Sequence, residues 1–133
     1  MSIIDTSDLE VEEQTTVELD DKNGNELMDA DGKNRRSITM WGPGSRPFVE
    51  AQARAKTRNM KRMRTHGGRT KADADADLEH EATFLAEITV SFNHFGLAED
   101  QQTRHAFKEF YKNPKVGYIT QKVNAEAGDW ANF

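Results

Sequence analysis

The stretch "LEHEATFLAEITVSFNHF", residues 78–95, decides how this chain is read. Leu78, Ala82, Leu85, Ile88, Phe92 and Phe95 recur at steps of three and four, and Phe84 widens the stripe. That spacing places large apolar groups on one side of a helix. It predicts a helix over 78–95, stopped by Gly96. On this reading the centre of the protein is helical.

Two further helices are expected on the C-terminal side. Residues 100–112 carry Ala106, Phe107, Phe110 and Tyr111, and Asn113-Pro114 ends the run. Residues 115–127 carry Val116, Ile119, Val123 and Ala127 on one face, with Gly128 as the stop. Proline lacks the N–H that a helix interior needs, so Pro114 fits a helix start. Residues 78–133 therefore read as a helical core, with "DWANF" as an aromatic tail. The aromatics of this core are assigned to packing.

On the N-terminal side, "RTKADADAD" (69–77) reads as exposed, and 67–77 is taken as a linker in which Asp77 caps the next helix. Residues 46–66 are a basic helix, with Phe48, Val49, Gln52-Ala53, Met60 and Met63 as a thin apolar stripe. Its start is marked by Gly42-Pro43-Gly44, with Ser45 as cap and Pro47 in the first turn. The loop matches neither G-x-x-x-x-G-K-[ST] nor G-x-G-x-x-G, so it is taken as a structural corner and not as a phosphate cradle.

Before the corner, "TTVEL" (15–19) and "SITMW" (37–41) have strand character. Asn23-Gly24 and Asp31-Gly32 suit tight turns with positive φ. Residues 15–45 are thus expected to form a β-hairpin or small meander, with Glu26-Leu27-Met28 as a short middle strand. Residues 1–14 read as an acidic arm. The expected class is mainly α: three or four helices preceded by a hairpin.

The net charge of -5 conceals segregation. Residues 1–31 hold eleven acidic side chains against Lys22, and residues 46–71 hold nine bases against Glu50. Such asymmetry bears on association. No cysteine is present, which removes disulfides and thiolate chemistry. No run approaches the length of about 20 apolar residues that a membrane span requires.

Other chemistry finds little footing. The Asp21/Asn23/Asn25 and Asp73/Asp75/Asp77 clusters place Glu26 and Leu78 where a calcium loop needs glycine. "HEATF" (80–84) lacks the second histidine of a zinc-protease helix, and His66, His80, His94 and His105 are read as surface or helix-end residues. No Ser or Thr has a base at triad spacing. The expectation is a non-enzyme without cofactor or metal. Arg54, Arg58, Lys61 and Arg62 are candidate protein-contact residues, with tracking of nucleic-acid phosphates as the weaker alternative. Trp41, Trp130 and Phe133 join them as large apolar groups in a corner or at a terminus.

Three stretches, "SITMWGPGSRPFVEAQARAKTRNMKRM" (37–63), "EATFLAEITVSFNHF" (81–95) and "YKNPKVGYITQKVNAEAGDWANF" (111–133), together resemble the small tail assembly chaperones of long-tailed bacteriophages. The resemblance implies a helical, non-catalytic protein that binds the tape-measure protein and helps recruit tail-tube subunits. It implies no catalytic residues and no cofactor, and it suggests self-association. It places the protein in the host cytoplasm during assembly and outside the mature particle. In that family a longer form arises by frameshifting, and a chain stopping at Phe133 suits the short form. The alternatives are a structural virion component and, more remotely, a nucleic-acid-binding regulator.

Overall fold

In the computed structural model, residues 13–66 and 73–131 are described. Among the described residues, four α-helices and a three-stranded antiparallel sheet make a mixed fold with a helical majority. In chain order the elements are β1 (Gln14–Glu18), β2 (Ser37–Trp41), α1 (Arg46–His66), α2 (Asp73–Ile88), β3 (Thr89–Asn93), α3 (Arg104–Lys112) and α4 (Gly117–Ala131). Short 3-10 turns at Glu99–Gln101 and Pro114–Val116 precede α3 and α4.

The N-terminal expectation agrees in part: the hairpin forms, and β3 extends it to a three-stranded sheet. β1 pairs antiparallel with β2, Val17 opposite Ile38. Between them the chain makes a small meander. Leu27 donates its N–H to the Leu19 carbonyl at 3.0 Å and accepts from the Arg36 N–H at 2.7 Å, which makes it the middle rung. Gly24 and Gly32 turn at φ 86° and 69°, a region that costs glycine nothing. The carboxylates of Asp21 and Asp29 each accept from two backbone N–H groups of their own turns, so these acids are turn formers.

The central helix requires correction. The helix predicted over 78–95 begins earlier, at Asp73, and ends at Ile88. Residues 89–93 are β3, which pairs with β2, so 78–133 is not a purely helical core. Ile88, Phe92 and Phe95 satisfy a helical step of three to four. Yet Thr89 and Val90 are β-branched, and Phe92 in a strand still turns inward. Thr89 also closes the helix: its hydroxyl donates to the Leu85 carbonyl at 2.7 Å and lies 2.8 Å from the Tyr111 hydroxyl. The strand is then fixed by pairing. Asn93 donates to Ser37 Oγ and Thr39 Oγ1, and Gln102 brackets the backbone N–H and carbonyl of Phe92 at 2.9 and 2.8 Å. Gln102 thereby satisfies edge groups that a fourth strand would otherwise take.

Val17, Ile38 and Phe92 lie side by side across the three strands, all buried. This rung is the spine of the core. Phe92 stacks on Phe107 at 4.8 Å and meets Phe95, Phe110 and Tyr111 at tilted or edge-on angles. Leu85 and Ile88 from α2, Phe48 and Ala51 from α1, and Ile119, Val123 and Ala127 from α4 complete it. The assignment of the aromatics to packing therefore stands, although Phe92 sits on a strand.

Three boundaries also shift. Residues 73–77, expected in the linker, open α2, and 67–72 lie outside the described residues. α3 starts at Arg104 because Thr103 caps it, accepting from the Ala106 N–H. α4 passes through Gly128 to Ala131. Of the expected acidic arm, residues 1–12 lie outside the described part, and Gln14 already belongs to β1. Among the described residues no helix is long and apolar enough to cross a membrane.

Candidate protein-binding surface on the basic helix

α1 begins where the corner dictates. Ser45 is buried; its hydroxyl donates to the Gly42 carbonyl at 2.7 Å and accepts from the Phe48 N–H at 3.3 Å. The Gly42 N–H in turn bonds the Glu13 carbonyl at 2.7 Å. The Gly-Pro-Gly-Ser loop is thus occupied with holding strand to helix. Arg46, beside it, points to Glu50 and is 85% exposed.

At 21 residues, α1 is about 30 Å long. Its apolar stripe does not form one face. Phe48, Ala51, Ala55, Arg58 and Arg62 recur at steps of three and four and share one side. Phe48 and Ala51 are buried against the core, and Phe48 meets Phe84 edge-on at 6.0 Å. A second row, Val49, Ala53, Lys56, Met60 and Met63, follows the same steps about a third of a turn or more away. There Val49, Met60 and Met63 are 56%, 48% and 65% exposed. α1 therefore has one face on the protein and an apolar row facing outward.

The bases hold the inward face along the outer half of the helix. Glu87 of α2 is buried, its side chain only 4% exposed, and it accepts from Arg54 Nε and from Arg58 Nη1 at 3.0 Å. One turn further on, Arg62 Nη2 donates to Asp77 at 2.5 Å. A carboxylate so enclosed needs its partners, because a buried unpaired charge is expensive. Lys61 is exposed. Of the candidate contact residues, then, Arg54, Arg58 and Arg62 bind the chain's own α2.

Of the aromatic candidates, Trp41 alone has a described side chain. Trp41, at the end of β2, is half-buried and packed against the core. The side chain of Trp130 and the whole of Phe133 lie outside the described residues. Glu87 went unnoticed in the sequence, as did the outward orientation of Val49, Met60 and Met63. The heptad spacing of Val49, Lys56 and Met63 was the available signal for the latter.

Two grooves flank the seam between α1 and α2. The larger, about 840 Å3, runs past Val49, Ala53, Lys56, Glu81, Phe84 and Asn124. It adjoins the outward row and is open at the surface. Burial pushes the Glu81 carboxyl above the usual carboxylate range. The smaller, about 500 Å3, lies where α1, α2 and α3 meet. Arg62 and His80 line both. His94 and His105 are exposed as expected, but His80 is half-buried in the seam. Burial, reinforced by Arg58 and Arg62, holds its imidazole below the ordinary value.

No family model, no curated protein and no solved structure matches this chain.

Proposed function

We propose that this protein is a non-catalytic tail assembly chaperone, which binds the tape-measure protein of a long-tailed bacteriophage and helps recruit tail-tube subunits. The observation that carries this reading is the outward apolar row of α1 beside an open groove. Val49, Met60 and Met63 are large, exposed and aligned, on a helix whose other face is already engaged. Such a row suits side-by-side contact with an amphipathic client helix, which would seat its own apolar positions at the same steps of three and four. Two methionines add unbranched side chains that adapt to different client surfaces.

The magnitudes fit transient contact. Burying about 300 Å2 of apolar surface would supply about 7 kcal/mol, from which rigid-body and side-chain ordering costs must be subtracted. Those costs offset most of the gain, so this row alone gives a weak contact that forms and releases, as a chaperone acting in the host cytoplasm and leaving the particle requires. Lys56 within the row, and Arg64 beyond it, favour an acidic client. The same row is available to a second copy of the chain, which supports self-association. The engagement of Arg54, Arg58 and Arg62 with α2 weighs against a continuous track along a nucleic-acid backbone.

The test is a pull-down with the co-encoded tape-measure protein. Binding that is lost in Met60→Lys/Met63→Lys is the expected result, and no binding by the folded wild type contradicts the proposal. Mass spectrometry of purified particles provides the second arm. Stoichiometric presence there would replace the chaperone with a structural virion component.

A further inference from the structure

The N-terminal segment of the chain enters the described fold at the foot of the outward row of α1. The Glu13 carbonyl accepts from the Gly42 N–H at 2.7 Å, the Gly42 carbonyl from the Ser45 N–H at 3.1 Å, and the Ser45 carbonyl from the Val49 N–H at 3.2 Å. Consecutive hydrogen bonds thus link residue 13 to the first residue of the row. Residues 1–12 lie before this point, outside the described part. At the rise of an extended chain they span about 40 Å, against about 30 Å for α1. The segment is long enough to follow the row from Val49 to Met63.

Segment and row are complementary in charge. "MSIIDTSDLEVE" carries Asp5, Asp8, Glu10 and Glu12 and no Lys or Arg. At 3.6 residues per turn, Arg46, Lys56 and Arg64 fall on the side of α1 that holds the row. Lys56 and Arg64 are exposed, and no ion pair holds either among the described residues. Arg46 reaches Glu50 at 3.6 Å, an exposed pair of little worth. Glu50 is the only acid on the helix and lies about a quarter turn from Val49. Across the adjoining groove stand Glu81 and Asp77, the latter already held by Arg62. The three bases are about 15 and 12 Å apart along the helix axis. In an extended chain Glu12, Asp8 and Asp5 follow outward from the corner about 13 and 10 Å apart. Leu9 and Val11 alternate with these acids, so such a chain turns both to one side.

We propose that residues 1–12 lie along the outward row of α1 in the same molecule. Leu9 and Val11 rest on the root of the row at Val49 and Ala53, and the carboxylates border the contact within reach of Arg46, Lys56 and Arg64. The covalent tether at Glu13 gives the segment an effective concentration on the order of millimolar at its own helix, so a weak contact suffices. A row of exposed apolar side chains is an association hazard, and this cover removes it. The segment carries the acidic and apolar chemistry that the row favours in a client, so the two compete for one surface. That competition rests on the client-binding reading above; the docking of the segment does not.

The principal test therefore uses no client. The chain has no cysteine, so Ser7→Cys gives a single attachment point for a nitroxide in the intact protein. The methionine methyl signals report its proximity. Met60 and Met63 lie on the row, whereas Met28 bridges Arg35 at the far end of the β1–β2 pair from the corner. At low salt the nitroxide is expected to broaden Met60 and Met63 and to spare Met28, equally after tenfold dilution. In about 1 M sodium chloride, or with Asp5→Asn, Asp8→Asn, Glu10→Gln and Glu12→Gln combined, the broadening is expected to fall by at least about half. Sharp Met60 and Met63 signals at low salt, or broadening indifferent to both salt and the neutralised acids, would overturn the proposal. Broadening that vanishes on dilution would assign the segment to a second copy and overturn docking within one molecule. The neutralised variant is further expected to bind the tape-measure protein about threefold more tightly, as a row freed from its cover should. Equal affinity in the two proteins would overturn the competition, and absence of binding by both would count against the client reading while the methionine signals still decide the docking.

Discussion

The two halves of α1 are held to the protein by different forces. Its first turns are anchored by apolar burial: Phe48 and Ala51 are enclosed, and Phe84 meets Phe48 edge-on. Its outer turns are held by charge: Arg58 on buried Glu87 and Arg62 on half-exposed Asp77. Apolar burial is nearly indifferent to salt, whereas partly exposed ion pairs weaken with it. One helix thus has a fixed root and an outer end whose attachment responds to conditions. The apolar row that we assign to client binding runs along both, from Val49 to Met63.

The contrast can be broken most forcefully at the root. Phe48→Ala is expected to cost about 4 kcal/mol, the range for deleting a fully buried aromatic, measured by chemical denaturation. An effect below about 1 kcal/mol would mean that α1 is not anchored in the core. Glu87→Ala comes next. It leaves Arg54 and Arg58 facing each other across an emptied site, and about 2–3 kcal/mol of destabilisation is expected, reduced from the fully buried case because both arginines are partly exposed. Hydrogen exchange should show the loss concentrated in residues 56–66, with 46–51 little changed.

A smaller effect is expected at Arg62 and Asp77. A double-mutant cycle to alanine should give about 0.5 kcal/mol of coupling at low salt, diminishing toward zero in 1 M sodium chloride. Persistence of the coupling at high salt would move this pair into the buried class. The pH response sharpens the same point. Burial first, then Arg58 and Arg62, holds His80 below its unfolded value, so the unfolded chain binds its proton more readily. Stability from this group is complete above about pH 7 and falls as pH drops through about 6.5 toward the folded value. His80→Gln should flatten that segment of the curve. Glu81, pushed upward by burial, acts in the opposite sense at more acidic pH.

How far the sequence foretold these features depends on the range of the interaction involved. The root of α1 was legible because its signals are local: Ser45 caps Phe48 three residues on, and Pro47 sits in the first turn. Both glycine turns were legible for the same reason. β3 was not. Phe92 lies seven residues beyond Leu85, a spacing that a helix satisfies, and its strand character comes from Ile38 and from Gln102, partners that periodicity does not reveal. The attachment of Arg54 and Arg58 to Glu87 was hidden similarly, since 33 and 29 residues separate them. Charge segregation along the chain suggested that the basic helix seeks acidic partners. It could not indicate that much of the partner is α2 of the same molecule.

The smallest effect on stability is expected where function is concentrated. Met60→Lys with Met63→Lys changes exposed positions between residues of similar helix propensity, so unfolding should shift by less than about 0.5 kcal/mol. Client affinity is the quantity that should move. The decisive measurement is therefore the affinity of the wild type and of this double variant for the tape-measure protein, with circular dichroism confirming equal helicity. We expect saturable binding by the wild type and at least a tenfold loss in the variant. Equal affinity in the two proteins would contradict the assignment of the outward row of α1 as the contact surface, and no binding by either would contradict the function itself.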